Sequence, residues 1–325
     1  MTMRELAKLA GVSISTVSKA FRDEEEISKE TKNLIFDIAK KYGCYGKFYK
    51  GKYPKKIIAI ICPEFAGGYY SDFVERLQRI LEENNCITLI SVDRFNDNTQ
   101  AELVEYFASY LKVDGMFVFG MKDKLKKGFN VPIVSLFSSN DSSVDEITVD
   151  LKTPIIETVE YLWELGHRKI AFFGEKLTIS KAVNFEEAMK KMPDSESFII
   201  ESQYRFEKAG KDAAEQLLAL SPDCTAIICA YDNIAFGAIK FLKSKGFRIP
   251  DDYSIAGINN IDFSEYTEVP LSSIDSQPDE VCQKAWMLMQ NKLKNVYYRN
   301  YEPIVVHGQL VIKDTVSKPR KNLSD

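Results

Sequence analysis

The sequence MRELAKLAGVSISTVSK, residues 3–19, has apolar residues at helical spacing on both sides of Gly11. Thr2 and Glu5 form a capping-box pair, which predicts that a first helix begins there. Gly11 suits the left-handed backbone of a tight turn, and Ser13 is a typical cap for a second helix. A helix, a short glycine-containing turn and another helix indicate a helix-turn-helix unit.

A third helix is predicted to begin after Ser28, and it would complete a small all-α domain. In the second helix, Val17 and Phe21 are four residues apart and therefore share one face. We expect this face to pack on Leu6 of the first helix and on Leu34 of the third.

Another face of the second helix carries Ser15, Lys19 and Arg22, at positions i, i+4 and i+7. None of these polar side chains is needed for a core, so the face is free either to be solvated or to enter the major groove of DNA. Lys19 can donate to the N7 and O6 atoms of guanine. Ser15 can bond several base edges and so specifies little.

The charge distribution favours the DNA interpretation. Residues 1–56 contain thirteen basic and seven acidic side chains, a net charge of +6; because the whole chain carries −4, the remainder carries −10. A basic module joined to an acidic body is the charge distribution expected of a protein that binds the phosphate backbone of nucleic acid through one end. The acidic run at 23–26 is expected to form a solvated loop away from phosphate.

Residues 3–19, with their Ala-Gly-Val-Ser-x-x-Thr-Val-Ser core, resemble the headpiece of the lactose-repressor (LacI/GalR) family of transcription regulators. The resemblance implies base contacts by Ile14, Ser15 and Lys19, and phosphate contacts near Thr16, Ser18, Arg22 and Tyr42. Lys19 stands where many members carry arginine, which weakens bidentate reading of guanine.

The segment after the third helix departs from the family. Relatives carry a Pro-Asn-x-x-Ala-x-x-Leu hinge that becomes helical on the operator and wedges its leucine into the minor groove. Residues 44–54 contain two glycines and no matching motif, so a stable hinge helix is not expected. Lysines, among them Lys47, alternate with aromatic residues. We favour a flexible basic tether over a minor-groove contact, and expect weaker operator bending.

After Pro54, apolar strands alternate with amphipathic helices, a pattern typical of parallel sheets covered on both faces. Two such sets predict two doubly wound lobes, with a ligand between them at the carboxyl ends of the strands. The family resemblance implies that these lobes form a periplasmic-binding-protein-like domain, in which the chain crosses between the lobes three times. The predicted domains are a headpiece (1–46), a hinge linker (47–56) and an effector-binding and dimerisation domain (57–325), whose first lobe spans 57–151 and 276–300 and whose second lobe spans 152–275 and 301–325.

Matches to family landmarks continue through the body, for example at Leu165-Gly166-His167-Arg168 and Asp232-Asn233-x-Ala235-x-Gly237. The resemblance implies effector contacts by Tyr69, Phe137, Lys181, Tyr204, Tyr231, Asp232, Asn259 and Ser276. Lys181 replaces the usual arginine, and Asn259 replaces an aspartate. A cleft that keeps aromatic residues and loses charge favours a neutral, carbohydrate-like ligand, although each of these residues is also compatible with simple packing.

Other classes of function fit the sequence less well. The chain has two histidines, His167 and His307, and no nucleophile-elbow, zinc-protease, P-loop or dinucleotide-binding motif, so we expect neither an enzyme nor a bound metal or cofactor. An extracytoplasmic sugar-binding protein would carry a signal peptide and lack a headpiece. Control by a protein corepressor, or the absence of any small effector, stays open.

The remaining features concern location and assembly. No apolar run approaches the roughly 18 residues of a membrane span, and residues 1–10 lack a signal-peptide core, so a cytoplasmic protein without membrane contact is expected. The six scattered cysteines form no CxxC pair and are expected to be buried thiols. One recognition helix covers few base pairs, which predicts a homodimer. Residues 317–325 lack the leucine heptad of a tetramerisation helix.

Overall fold

The computed structural model describes residues 1–22, 24–48, 56–121, 131–139, 144–220, 223–295, 297–300 and 302–320. The chain divides into two compact units, Met1–Lys56 and Ile57–Asp325. No helix within these described ranges has both the length and the hydrophobicity that crossing a membrane requires.

Within residues 1–22 and 24–48, the first unit has four helices: α1 (Met3–Ala10), α2 (Ile14–Phe21), α3 (Lys29–Lys41) and the short α4 (Tyr45–Phe48). Their starts follow from local chemistry. The side chains of Thr2, Ser13 and Ser28 each accept a hydrogen bond from a backbone N–H three residues later. Gly11 ends α1 in the left-handed region, at φ 66°. The predicted helix-turn-helix and its caps are confirmed.

The core of the first unit contains Leu6, Val17, Phe21 and Ile35, all fully buried. The expectation that Leu34 packs in this core is wrong, because its side chain is 49% exposed. Successive side chains on a helix point about 100° apart, and Ile35, one position later, faces α1 and α2 instead.

The headpiece extends beyond the predicted boundary at residue 46. Phe48 at the end of α4 is buried, and its ring centroid lies 5.9 Å from that of Phe21. An aromatic ring with this packing partner belongs to the core and not to a solvated linker. Residues 49–55 of the predicted linker and the side chain of Lys47 lie outside the part of the chain that the structure describes.

The described part of the second unit contains two six-stranded sheets. The first has the order β11-β5-β4-β3-β1-β2 and the second the order β12-β10-β9-β8-β6-β7. The strands are β1 (Lys56–Cys62), β2 (Cys86–Val92), β3 (Gly115–Met121), β4 (Ile133–Ser139), β5 (Asp145–Asp150), β6 (Lys169–Glu175), β7 (Glu196–Ser202), β8 (Ala226–Cys229), β9 (Ser254–Asn259), β10 (Ser272–Asp275), β11 (Ile304–His307) and β12 (Gln309–Val311). Pairing between adjacent strands is parallel wherever its register is defined, except that β12 runs antiparallel to β10.

Helices cover these sheets, as the alternating pattern predicts. They are α5 (Tyr69–Glu83), α6 (Asp97–Glu105) with a following π-helical turn (Tyr106–Leu111), α7 (Lys152–Leu165), α8 (Ile179–Met189), α9 (Phe206–Leu220), α10 (Asp232–Ser244) and α11 (Pro278–Lys294). The predicted return of α11 to the first lobe is confirmed, because Val281, Ala285 and Met289 are buried in the core that contains β1, β3 and β4.

The last crossing between the lobes differs from the prediction. Residues 301–325 were all assigned to the second lobe, but β11 pairs with β5 in the first sheet, and only β12 joins the second. The crossing falls at Gly308, whose backbone N–H donates to Asp150 O at 3.0 Å. A Cβ there would lie 3.1 Å from Asp275 O and 3.2 Å from Asp150 O, so any larger residue would push these neighbouring crossing segments apart by a few tenths of an ångström.

Candidate functional site

The exposed face of α2 carries the residues predicted to contact DNA. Ile14, Ser15 and Arg22 are exposed, and Lys19 is partly exposed. Tyr42 is exposed at the end of α3. The opposite side of α2, with Val17, Ala20 and Phe21, is buried in the headpiece core.

Two hydroxyl groups on α2 already have partners within the headpiece. The Thr16 hydroxyl lies 2.8 Å from Ser13 Oγ, beside the helix cap, and the Thr16 backbone N–H donates to the same oxygen at 3.0 Å. Ser18 Oγ accepts a hydrogen bond of 2.8 Å from the Arg22 guanidinium. The latter contact holds Arg22 along the exposed face of α2.

The acidic run after α2 contacts cations of the DNA-contacting face, while its position relative to phosphate stays a prediction. The carboxylate of Glu26 accepts a hydrogen bond from Lys19 Nζ, and Glu24 Oε2 lies 4.0 Å from the same nitrogen. Glu24 Oε1 also lies 3.4 Å from Arg22 Nη1. The Glu24 backbone N–H donates to Lys19 O at 3.2 Å, so the turn folds back onto α2 and brings its carboxylates to the cations.

A second candidate site is a cavity of about 470 Å³ between the two lobes. It opens at the carboxyl ends of the strands, where Glu64 follows β1, Asp93 follows β2, Glu175 ends β6 and Asn259 ends β9. The predicted position of a ligand site in two doubly wound lobes agrees with this placement. The volume suits a small metabolite.

Five of the eight predicted effector residues line the cavity: Tyr69, Phe137, Lys181, Tyr231 and Asn259. The rings of Tyr69 and Phe137 are stacked, with centroids 5.7 Å apart. Tyr70, Phe95, Phe119 and Phe206 add further aromatic surface, so the expectation of an aromatic cleft agrees with the structure.

The other three predicted residues, Tyr204, Asp232 and Ser276, are not part of the lining. Tyr204 packs under Lys208, whose Nζ lies 3.6 Å from the ring centroid. Ser276 is buried.

Asp232 is fully buried behind the cavity at the start of α10. Its carboxylate accepts hydrogen bonds from Ser273 Oγ at 2.6 Å and from the Ile261 backbone N–H at 2.8 Å. Burial raises the pKa of Asp232 to about 7, against the lowering effect of these hydrogen bonds. Asp232 therefore does not line the cleft but holds the segment after β9 in place through its hydrogen bond with Ile261.

The expectation that the cleft loses charge is wrong. Its lining includes six Asp, Glu, Lys and Arg side chains, namely Glu64, Asp93, Asp97, Glu175, Lys181 and Arg205. Burial lowers the pKa of Lys181 to about 8, and its Nζ donates to Ala230 O at 2.8 Å. With four carboxylates against two cations, the surplus in this lining is acidic.

Arg205 and Glu64 join the two lobes across the cleft, and no sequence motif drew attention to either. Arg205 Nη2 donates to Glu64 Oε1 at 2.6 Å, and Nη1 donates to Oε2 at 2.8 Å, a bidentate pair. The Nε atom of Arg205 lies 3.7 Å from Glu175 Oε1, beyond hydrogen-bond distance. The only signal in the sequence was the position of Arg205 between two aromatic residues just before α9.

The backbone around the cavity is strained in a way that is typical of binding sites. Phe95, Phe137, Phe206 and Asn259 all line the cavity, and all have positive φ values between 57° and 108°. Residues other than glycine in this region cost about 1–3 kcal/mol each and cluster at functional sites. Asn259 Oδ1 is also buried, and none of the residues that the structure describes donates a hydrogen bond to it, so a ligand could do so.

Neither histidine lines the cavity. His167 is buried, with Nε2 2.9 Å from Ser317 O and Nδ1 2.8 Å from Thr225 Oγ1, so it ties the helix-strand connector to the C-terminal segment. His307 is exposed near Asp150. In the described ranges no three His, Cys, Asp or Glu side chains are grouped so that they could hold a metal ion.

Comparison with protein families agrees with this geometry. Residues 2–45 match the model described as bacterial regulatory proteins, lacI family, and residues 159–316 match the periplasmic binding protein-like domain. The chain belongs to the LacI family. It is therefore a DNA-binding transcription regulator with a periplasmic-binding-protein-like domain and not an enzyme, as the sequence predicted.

Individual LacI-family relatives extend the similarity over nearly the whole chain. The HTH-type transcriptional repressor CytR of Escherichia coli (strain K12) is 25% identical over 310 residues, which cover 90% of each chain. A LacI-family regulator from Silicibacter pomeroyi has a TM-score of 0.73 at 19% identity, covering 98% of this chain and 99% of that one. A regulator from Enterococcus faecium, solved with bound ribose, has a TM-score of 0.69 at 20% identity and covers 81% and 99%. At these identities the structural matches establish the fold.

Proposed function

We propose that this LacI-family regulator represses transcription by binding an operator duplex through α2, with an affinity controlled by a small neutral ligand in the interlobe cleft. Base contacts are assigned to Ile14, Ser15 and Lys19. Phosphate contacts are assigned to Thr16, Ser18, Arg22, Tyr42 and Lys47. The protein acts as a homodimer in the cytoplasm.

The observation that carries the DNA-binding role is the division of α2 into a buried apolar side and an exposed polar side. The exposed side begins at a serine-capped helix end, where Ile14 and Ser15 stand in the first turn, followed one turn later by Lys19. Side chains in this arrangement reach base edges when the helix lies in the major groove. The hydrogen bond from Arg22 to Ser18 on the same face supports the assignment of Arg22 to a phosphate contact.

A neutral, carbohydrate-like ligand is supported by the cleft lining. Stacked aromatic rings such as Tyr69 and Phe137 suit the apolar faces of a sugar or a related ring. The acidic surplus disfavours an anionic ligand, because like charges repel strongly in a partly buried site. Asn259 Oδ1 and the cavity carboxylates can accept hydrogen bonds from hydroxyl groups. The ribose complex of the Enterococcus faecium relative is in keeping with this class.

A homodimer is supported by exposed apolar side chains on the outermost strands of both sheets. Ile87 and Ile90 are exposed on β2, and Ile199 is exposed on β7. Apolar groups along sheet edges are normally covered, and a second copy of the chain would cover both edges at once. Two headpieces would then contact paired operator half-sites.

Control by a protein corepressor, or the absence of a small effector, is the alternative. The Arg205–Glu64 pair favours it, because the protein itself supplies a direct link between the lobes. A ligand would have to be bracketed by this pair or displace it.

Selection of bound duplexes from a random pool, repeated with sugars, nucleosides and phosphosugars, tests the proposal. We expect recovery of a palindromic duplex, and we expect a neutral ligand to change the affinity of the protein for that duplex. Isothermal titration measures the binding of the ligand itself. Recovery of no preferred duplex would contradict the DNA-binding role. Saturable binding restricted to phosphosugars would contradict the neutral-ligand assignment.

A further inference from the structure

The turn after α2 directs two of its glutamates at the cations of the DNA-contacting face. Glu26 hydrogen-bonds Lys19, while Glu24 lies near both Lys19 and Arg22. The turn is built to do so: the Glu24 N–H donates to Lys19 O, and the Ile27 N–H donates to Glu24 O at 3.3 Å. These contacts raise the pKa of Lys19 and lower that of Glu26, through their shared hydrogen bond first and their charges second.

Glu25 provides an internal comparison. It stands between the two paired glutamates, it is exposed, and the described residues show no ion pair for it. The pairing of Lys19 therefore depends on where each carboxylate is placed and not on the acidity of the run as a whole.

We propose that Glu26 is a specificity-determining residue that positions Lys19 and neutralises it against DNA phosphate; this inference rests on the proposed operator-binding function. A backbone phosphate attracts the ammonium group of Lys19 but repels the carboxylate of Glu26 beside it. Sequence-independent binding to the DNA backbone is therefore weakened. A G·C pair offers N7 and O6 of guanine as acceptors for Lys19 and the N4 amino group of cytosine as a donor for Glu26. The Lys19–Glu26 pair thus complements one base pair better than it complements the backbone.

The test compares Glu26→Gln with Glu25→Gln, two variants with the same change in net charge. Affinity is measured by fluorescence anisotropy for a random-sequence duplex and for the best selected duplex, over a series of salt concentrations. Freeing Lys19 for one extra phosphate contact should steepen the slope of log K against log salt by about 0.9. Over the decade from 1 M to 0.1 M salt, this slope corresponds to about 8-fold tighter binding of the random duplex. Glu26→Gln should show this gain beyond that of Glu25→Gln, and its ratio of selected to random affinity should fall by at least the same factor.

A Lys19→Gln background distinguishes positioning from a general structural effect. There, Glu26→Gln should change random-duplex affinity no more than Glu25→Gln does. Equal gains for the two glutamine variants in the native background would overturn the inference, since net charge alone would explain them. A loss of affinity for both duplexes in Glu26→Gln would overturn it as well. If the native chain prefers no duplex at all, the operator-binding function itself fails, and this inference falls with it.

Discussion

The ion pair between Glu64 and Arg205 should hold the two lobes together across the cleft. Glu64 follows β1 in the first lobe, and Arg205 precedes α9 in the second, so the pair links the two lobes beside the cavity that both residues line. Replacing Glu64 by glutamine removes the charge and one good acceptor while keeping the shape of the side chain. We expect the cleft to open more often in this variant.

The size of the effect follows from geometry and exposure. Hydrogen bonds to charged groups contribute about 1.5–3 kcal/mol when buried, whereas exposed ion pairs contribute about 0.2–1 kcal/mol. The Arg205 side chain is 35% exposed and that of Glu64 is 17% exposed, so solvent screens the pair substantially. We therefore expect a coupling free energy of about 1 kcal/mol, or about a 5-fold shift in the balance of open and closed lobes.

A double-mutant cycle of Glu64→Gln and Arg205→Gln in urea unfolding measures this coupling, and small-angle X-ray scattering measures the opening. The Glu280–Lys284 pair on α11 is a matched control, with a 2.7 Å contact inside one lobe. Its coupling should be about 0.3–0.5 kcal/mol, with no change in scattering. A Glu64–Arg205 coupling no larger than that of the control, together with an unchanged radius of gyration, would refute the reasoning.

Three further outcomes are expected. Gly237→Ala should lower the free energy of unfolding by about 1–2 kcal/mol in thermal denaturation, because its Cβ would collide with the Glu207 carbonyl oxygen of α9; an unchanged melting temperature would count against this contact. Lys181→Met should differ from the native chain in a pH-dependent way. The folded Lys181 loses its proton near pH 8 and the unfolded one near 10.5, so the native chain gains stability relative to the variant as pH rises through that window; a constant difference in urea unfolding would contradict the lowered pKa. Asn259→Ala should weaken the affinity for an identified ligand about 10-fold in titration calorimetry, since Oδ1 is a buried acceptor with no partner among the described residues; equal affinity would show that the ligand does not use it.

The parts of the fold that depend on local chemistry were predictable from the sequence. Thr2, Ser13 and Ser28 cap the first three helices because each needs only a backbone N–H three residues away. The alternating apolar strands likewise identified the two parallel sheets, because a strand buried on both faces is apolar throughout.

The parts of the fold that depend on tertiary contacts could not be predicted from the sequence. Leu34 and Ile35 are equally apolar, and only the packing of α3 decides which one is buried. Phe48 is separated from the first three helices by two glycines, so its place in the core has no local signal. Strand β5 carries three acidic residues, and β7 begins with Glu-Ser, so neither has a purely apolar pattern. Arg205 becomes a cleft residue only when the second lobe meets Glu64.

The DNA-contacting role of α2 is tested most directly by the affinity of Lys19→Gln for the best duplex selected by the native chain. Lys211→Gln on α9 has the same charge change at an exposed position of the body and serves as its control. Loss of one base contact of about 1–3 kcal/mol should weaken Lys19→Gln by about 5- to 150-fold, while Lys211→Gln should bind like the native chain. Equal affinity of the two variants would contradict the assignment of α2 as the helix that reads DNA.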